Sequence, residues 1–105
     1  MKRGEVWWAD LSPPAGRRPV VLLSRDEAYP VRNQVTVAPV TTRIRDIPVE
    51  VRLGPAEGMP RKCVANLDSI VTIRKAQLVE RLALLGPNKV REIDAAIRFA
   101  LNVKV

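Results

Sequence analysis

The chain has no histidine and a single cysteine in 105 residues. Cys63 has no second cysteine with which to close a disulfide. With no imidazole available, it has neither the company of a zinc site nor a base to make it a papain-like nucleophile. It reads instead as a small buried residue. The eleven carboxylates are scattered, without the spacing of a magnesium or calcium loop. No glycine-rich phosphate loop is present. Neither a metal nor a cofactor is expected. No apolar run approaches the length needed to cross a bilayer, and Met1-Lys2-Arg3 leads into Gly4-Glu5 rather than an apolar signal segment. The expectation is a soluble, cytoplasmic chain with no membrane role.

Positive charge is plentiful. Eighteen Lys and Arg stand against eleven Asp and Glu, a net charge of +7, and thirteen of the eighteen are arginine. The guanidinium is always charged and presents a planar fork of donors that suits phosphate. Such a balance implies a polyanion or an acidic protein as partner. The length fits one domain, residues 1–105, with a core of its own.

Strand patterns come first. Glu5 to Leu11 is rich in aromatic and β-branched residues and ends at the turn signal Ser12-Pro13-Pro14. Trp7 and Trp8 are adjacent, so on a strand they point to opposite faces. Val20 to Ser24 is an unbroken apolar run with Pro19 at its start, as expected of a residue that cannot donate to a ladder. Gln34 to Thr42 is a third strand, where Pro39 predicts an edge or a bulge. Ile47 to Leu53 alternates cleanly, with Glu50 and Arg52 on the polar parity. Cys63 to Ile73 reads as one strand with Asn66, Asp68 and Thr72 on one side. Gln77 to Leu85 reads as a short helical turn followed by a strand. After Gly86-Pro87, apolar residues at Val90, Ile93, Ile97, Ala100 and Leu101 mark the face of a helix that stops near Asn102. The whole predicts an α+β, mostly β domain: a small barrel of antiparallel strands with a C-terminal amphipathic helix.

The candidate site follows from that order. Arg18 stands where the Gly16-Arg17 loop becomes rigid strand. Thr41 and Thr42 close the third strand, and Arg43 and Arg45 follow at once. If the strand carrying Asn66, Asp68 and Ser69 lies beside them, the sheet presents one arginine-lined groove. Taken singly, each residue has an ordinary structural reading: a strand end, a surface ion pair, a solvated turn.

Together, Arg3-Gly4-Glu5-Val6-Trp7-Trp8-Ala9-Asp10-Leu11, Gly16-Arg17-Arg18-Pro19-Val20-Val21, Val35-Thr36-Val37-Ala38-Pro39-Val40-Thr41-Thr42 and Val64-Ala65-Asn66-Leu67-Asp68-Ser69-Ile70 resemble the MazF/PemK toxins of bacterial toxin–antitoxin pairs. The resemblance runs through Thr72-Ile73 to the final helix. It implies an SH3-like barrel, a homodimer, and metal-independent cleavage of single-stranded RNA to 2′,3′-cyclic phosphate and 5′-hydroxyl ends. It also implies inhibition by a cognate antitoxin whose acidic C-terminal segment lies in the RNA groove. By position, Arg18 matches the family's arginine before proline, Thr41 its strand-closing threonine, and Asp68 a carboxylate that some relatives use as base. Arg17, Thr42, Arg43, Arg45, Asn66, Ser69 and Arg74 are then the expected RNA contacts. Asp68 has a competing role in orienting Arg18 or Arg74. The chain departs from the pattern in two places. Its loop Ser12 to Arg17 is short and lacks the acidic residue of many relatives, and Asn66 replaces a basic residue. Two other readings share the barrel: a CcdB-like poison of DNA gyrase, and an RNA-binding module that does not cut.

Overall fold

Turn chemistry divides the chain into seven short strands and a closing helix. The computed structural model describes residues 1–104. The strands are β1 (Glu5–Asp10), β2 (Arg17–Leu22), β3 (Gln34–Thr41), β4 (Glu50–Leu53), β5 (Cys63–Asn66), β6 (Val71–Arg74) and β7 (Leu78–Leu84), followed by α1 (Pro87–Leu101). Every strand pairing is antiparallel, and the ladder runs β4-β5-β3-β2-β1-β7 with β6 also paired to β3. The mostly β architecture with a C-terminal helix is as expected, but the sheet is not closed into a barrel: β4 and β7 end the path unpaired with each other. Instead of a closing ladder, α1 covers the larger core, packing on β4 and on the turn after β5.

Alternation along the central strands makes two cores, one on each face. Val6, Val21, Ala38, Val40, Val51 and Ala65 point to the helix side and meet Ile93 and Ala96 of α1. Ala9, Val20, Leu22, Val35, Val37 and Ile73 point the other way and pack with Tyr29 and Leu78. Trp7 packs at the edge of this second core, its indole N–H donating to Glu5 Oε1 at 3.0 Å.

Both strand prolines lie inside strands rather than at their ends. β3 pairs with β2 only from Val20 onward, so at Pro19 one side carries no ladder and the missing N–H is accommodated there. Pro39 lies in the central strand, not at an edge. It occupies the gap where β3 changes partner from β6, paired through Val37, to β5, paired from Val40. The expected strand from Cys63 to Ile73 is broken into β5 and β6 by a 3₁₀ turn at Leu67–Ser69. Its cause is local: Asp68 N–H donates to Asn66 Oδ1 at 2.9 Å, a side-chain bond that competes with the ladder. β4 starts three residues later than the alternation predicted, leaving Ile47 partly exposed in the turn before it. A helical turn does precede β7, but at Lys75–Gln77, two residues earlier than expected. The helix limits are as predicted, with Pro87 in the first turn of α1 and Asn102 ending it at φ 56°.

Candidate functional site

β2 and β3 bring their polar ends together. The register pairs Val20 with Pro39, which sets Arg18 and Thr41 side by side on the face of the smaller core, just past its end. The chain leaving β3 then carries Arg43 and Arg45 back over the same spot, while the end of β5 and the turn after it supply Asn66 and Ser69. These six residues, with Pro39 and Glu50, line a polar cleft of about 180 Å³.

Arg18 is half-buried, and its Nε is fully buried without a hydrogen-bond partner. The ion pairs among the described residues engage Arg3, Arg52, Arg81 and Lys89 and leave Arg18 out. A buried donor without a partner is costly, which singles out Arg18 among the cations of this cleft. Thr41 Oγ1 accepts the Arg43 N–H at 3.2 Å, which leaves its own O–H free to donate into the cleft. A donor-rich hollow with a half-buried arginine and a hydroxyl can hold a phosphate and stabilise extra charge on it.

Four of the ten expected site residues lie outside this cleft. Asp68 is exposed on the turn between Asn66 and Ser69, does not line the cleft, and is in none of those ion pairs with Arg18 or Arg74. Arg74 pairs with Gln34 at the opposite end of β3 from Thr41. Arg17 points to the other face of β2, where its guanidinium lies 5.5 Å from the centre of the Trp8 ring. Thr42 lines a neighbouring apolar hollow of about 240 Å³ with Trp8, Pro19, Met59 and Cys63, and Thr41 walls both spaces. On the far side of Arg18 and Pro39 a wider hollow of about 370 Å³ runs along Leu11, Val71 and Ile73. Cys63 is buried, as expected; burial first and the Glu57 charge second push its thiol above the ordinary range, away from nucleophilic use.

Sequence reasoning missed Glu50. Its signal was present, since Glu50 falls on the polar parity of the cleanest alternation in the chain. What the sequence did not show is that this parity faces the loop following β3.

Known proteins resemble this chain in both sequence and fold. Residues 2–101 match the family described as PemK-like, MazF-like toxin of type II toxin-antitoxin system. The chain is 45% identical over 101 residues to the probable endoribonuclease MazF5 of Mycobacterium tuberculosis, covering 95% of this chain and 92% of that protein. It is 34% identical over 111 residues to the endoribonuclease MazF of Staphylococcus saprophyticus, covering 98% and 92%. Among solved structures, the Mycobacterium tuberculosis toxin MazF-mt6 superposes with a TM-score of 0.89 at 28% identity, over 96% of this chain and 99% of that one. A mycobacterial endoribonuclease in complex with its cognate antitoxin gives 0.89 at 28%, over 100% and 98%.

Proposed function

Since this chain belongs to the PemK-like, MazF-like toxins of type II toxin–antitoxin systems, we propose that it is an endoribonuclease that cuts single-stranded RNA in the cytoplasm and so stops translation and growth. The observation that carries the proposal is Arg18, a half-buried guanidinium with an unpartnered Nε, beside Thr41 in a cleft ringed by Arg43 and Arg45. In the proposed reaction the ribose 2′-oxygen bonds to phosphorus while the bond to the 5′-oxygen breaks. The products are a 2′,3′-cyclic phosphate and a 5′-hydroxyl. Arg18 stabilises the charge that builds on the phosphorane oxygens, a contribution of about 3–4 kcal/mol for a preorganised donor. Thr41 donates its hydroxyl to a phosphate oxygen. Asp68, exposed on the turn whose neighbours Asn66 and Ser69 line the cleft, is the proposed acceptor of the 2′-hydroxyl proton, and the 5′-oxygen collects a proton as it leaves. The hollows on either side of the cleft accommodate the strand that enters and leaves.

The same donors suit an acidic, initially disordered segment of a cognate antitoxin, which gives up ordering entropy when it binds and can be degraded while free. A second copy of the chain is proposed to complete a homodimer, covering apolar residues such as Phe99, Leu101 and Val103 that α1 and its extension leave exposed.

The test is to incubate the protein in EDTA with mixed-sequence single-stranded RNA and identify the product ends by mass spectrometry. Discrete fragments ending in cyclic phosphate are expected. Arg18→Ala is expected to lower cleavage by about a hundredfold or more, and Thr41→Ala to lower it strongly with the fold intact. Absence of cleavage by folded wild-type protein across many RNAs would return the gyrase poison or the non-cutting RNA-binding module to first place.

A further inference from the structure

Among the described residues, Glu50 is the one carboxylate that lines the arginine cleft. A negative charge there opposes phosphate binding, so its presence needs a reason. The reason is in its contacts. Glu50 Oε1 accepts two backbone hydrogen bonds, from Arg45 N–H at 2.9 Å and from Asp46 N–H at 3.0 Å. These donors belong to the segment between β3 and β4 that carries Arg43 and Arg45 to the cleft. Its other end is tied by the Arg43 N–H on Thr41 Oγ1 at 3.2 Å. At the Glu50 tie the chain turns at Asp46, a residue with φ of 59°, and Arg52 Nε–H donates to Asp46 Oδ1 at 3.1 Å. Glu50 and Arg52 are alternate residues of β4, so both outward side chains of a four-residue strand are spent on one turn.

We infer that Glu50 is a positioning residue: its carboxylate folds the Arg43–Arg45 segment over the cleft, so that both guanidinium groups meet the RNA backbone beside Arg18 and Thr41. The inference rests on the ribonuclease reading for its substrate, but not for its geometry. An exposed arginine loop without this anchor loses the entropy advantage of being held in place. The net effect of the side chain is then favourable: one acceptor facing the cleft organises the segment that carries two cations to it.

Two substitutions separate this role from the alternatives. Glu50→Gln keeps an oxygen that can accept both N–H groups and removes the charge, whereas Glu50→Ala removes the acceptor as well. Backbone ¹⁵N order parameters for Arg45 and Asp46 are expected near about 0.85 in wild type and Glu50→Gln, and below about 0.6 in Glu50→Ala. In cleavage of single-stranded RNA, Glu50→Ala is expected to raise KM about tenfold with kcat within about threefold, and Glu50→Gln to stay within about threefold of wild type on both. A kcat for Glu50→Gln as low as that of Arg18→Ala would overturn the inference, because Glu50 would then be moving a proton. A Glu50→Ala protein with unchanged order parameters and KM at or below wild type would also overturn it, showing a charge that only repels phosphate. If wild type cuts no RNA while its order parameters still depend on Glu50, the ribonuclease reading fails and the anchor stands.

Discussion

Glu5 is the buried charged side chain of the described core, 6% exposed at the start of β1. Burial alone would push its pKa up, yet the balance runs the other way. The indole N–H of Trp7 and the backbone N–H of Lys2 both donate to Oε1, at 3.0 Å each, and Arg81 Nε lies 3.1 Å from Oε2. Together they hold the carboxyl below its ordinary value of 4.5. A carboxyl whose pKa is lower folded than unfolded stabilises the fold above the unfolded value, and the contribution is lost as pH falls through the folded one. Glu5→Gln is therefore expected to cost about 1–3 kcal/mol at neutral pH. In urea titrations, the gap between the midpoints of wild type and variant should narrow on going to about pH 3.5. An equal gap at both pH values would remove Glu5 from the acid sensitivity of the fold. Single residues were unevenly legible in the sequence. Arg18 and Thr41 stood out because each ends or begins a strand beside a turn. The family resemblance put Asp68 and Arg74 in the groove, and parity along an unbroken strand supported Asp68. The Asn66 side chain interrupts that strand, so the count of alternation lost its meaning after Asn66.

Among the elements, β3 does the most to build the site, since it is bonded to β2, β5 and β6 and delivers Thr41 to the cleft. Strand identities were readable from apolar alternation and flanking Gly and Pro, because those signals act within a few residues. Strand partners were not readable. That Pro39 would fall in a gap between two partners on one side of a central strand depends on contacts with residues some 25 to 34 positions later, as the Val37–Val71 and Val40–Ala65 pairs show. The helix was the clearest element in the sequence, and most of its expected face packs into the larger core. Ile93 is 2% exposed there with partly buried Val90, Ile97 and Ala100 packed against that core, whereas Leu101, expected on the same face, is 60% exposed. Ile93→Ala is expected to destabilise the fold by about 2–5 kcal/mol, read as a lower denaturation midpoint at unchanged slope. A loss under about 0.5 kcal/mol would mean that α1 is not holding the larger core closed.

At the scale of the whole molecule, the excess charge of +7 becomes an address rather than a structural force. Binding of a strand whose cleavable 2′-hydroxyl has been replaced by hydrogen should weaken steadily with salt. The slope of log affinity against log salt should lose about 0.7 for each phosphate contact removed. Arg43→Ala and Arg45→Ala are each expected to lower that slope by about this amount, and Arg74→Ala to lower it less, because Arg74 stands at the far end of β3. Equal effects from all three would mean that the molecule attracts RNA diffusely and that the cleft has no privileged share. One wall shared between neighbouring spaces has a practical consequence. Thr41 faces the polar cleft on one side and the Trp8, Met59 and Pro60 hollow on the other. A neutral small molecule seated in the apolar hollow would crowd the hydroxyl that the proposed reaction uses while touching none of the cleft's arginines. Its potency as a blocker would be nearly indifferent to ionic strength, unlike that of any polyanion competing for the same enzyme.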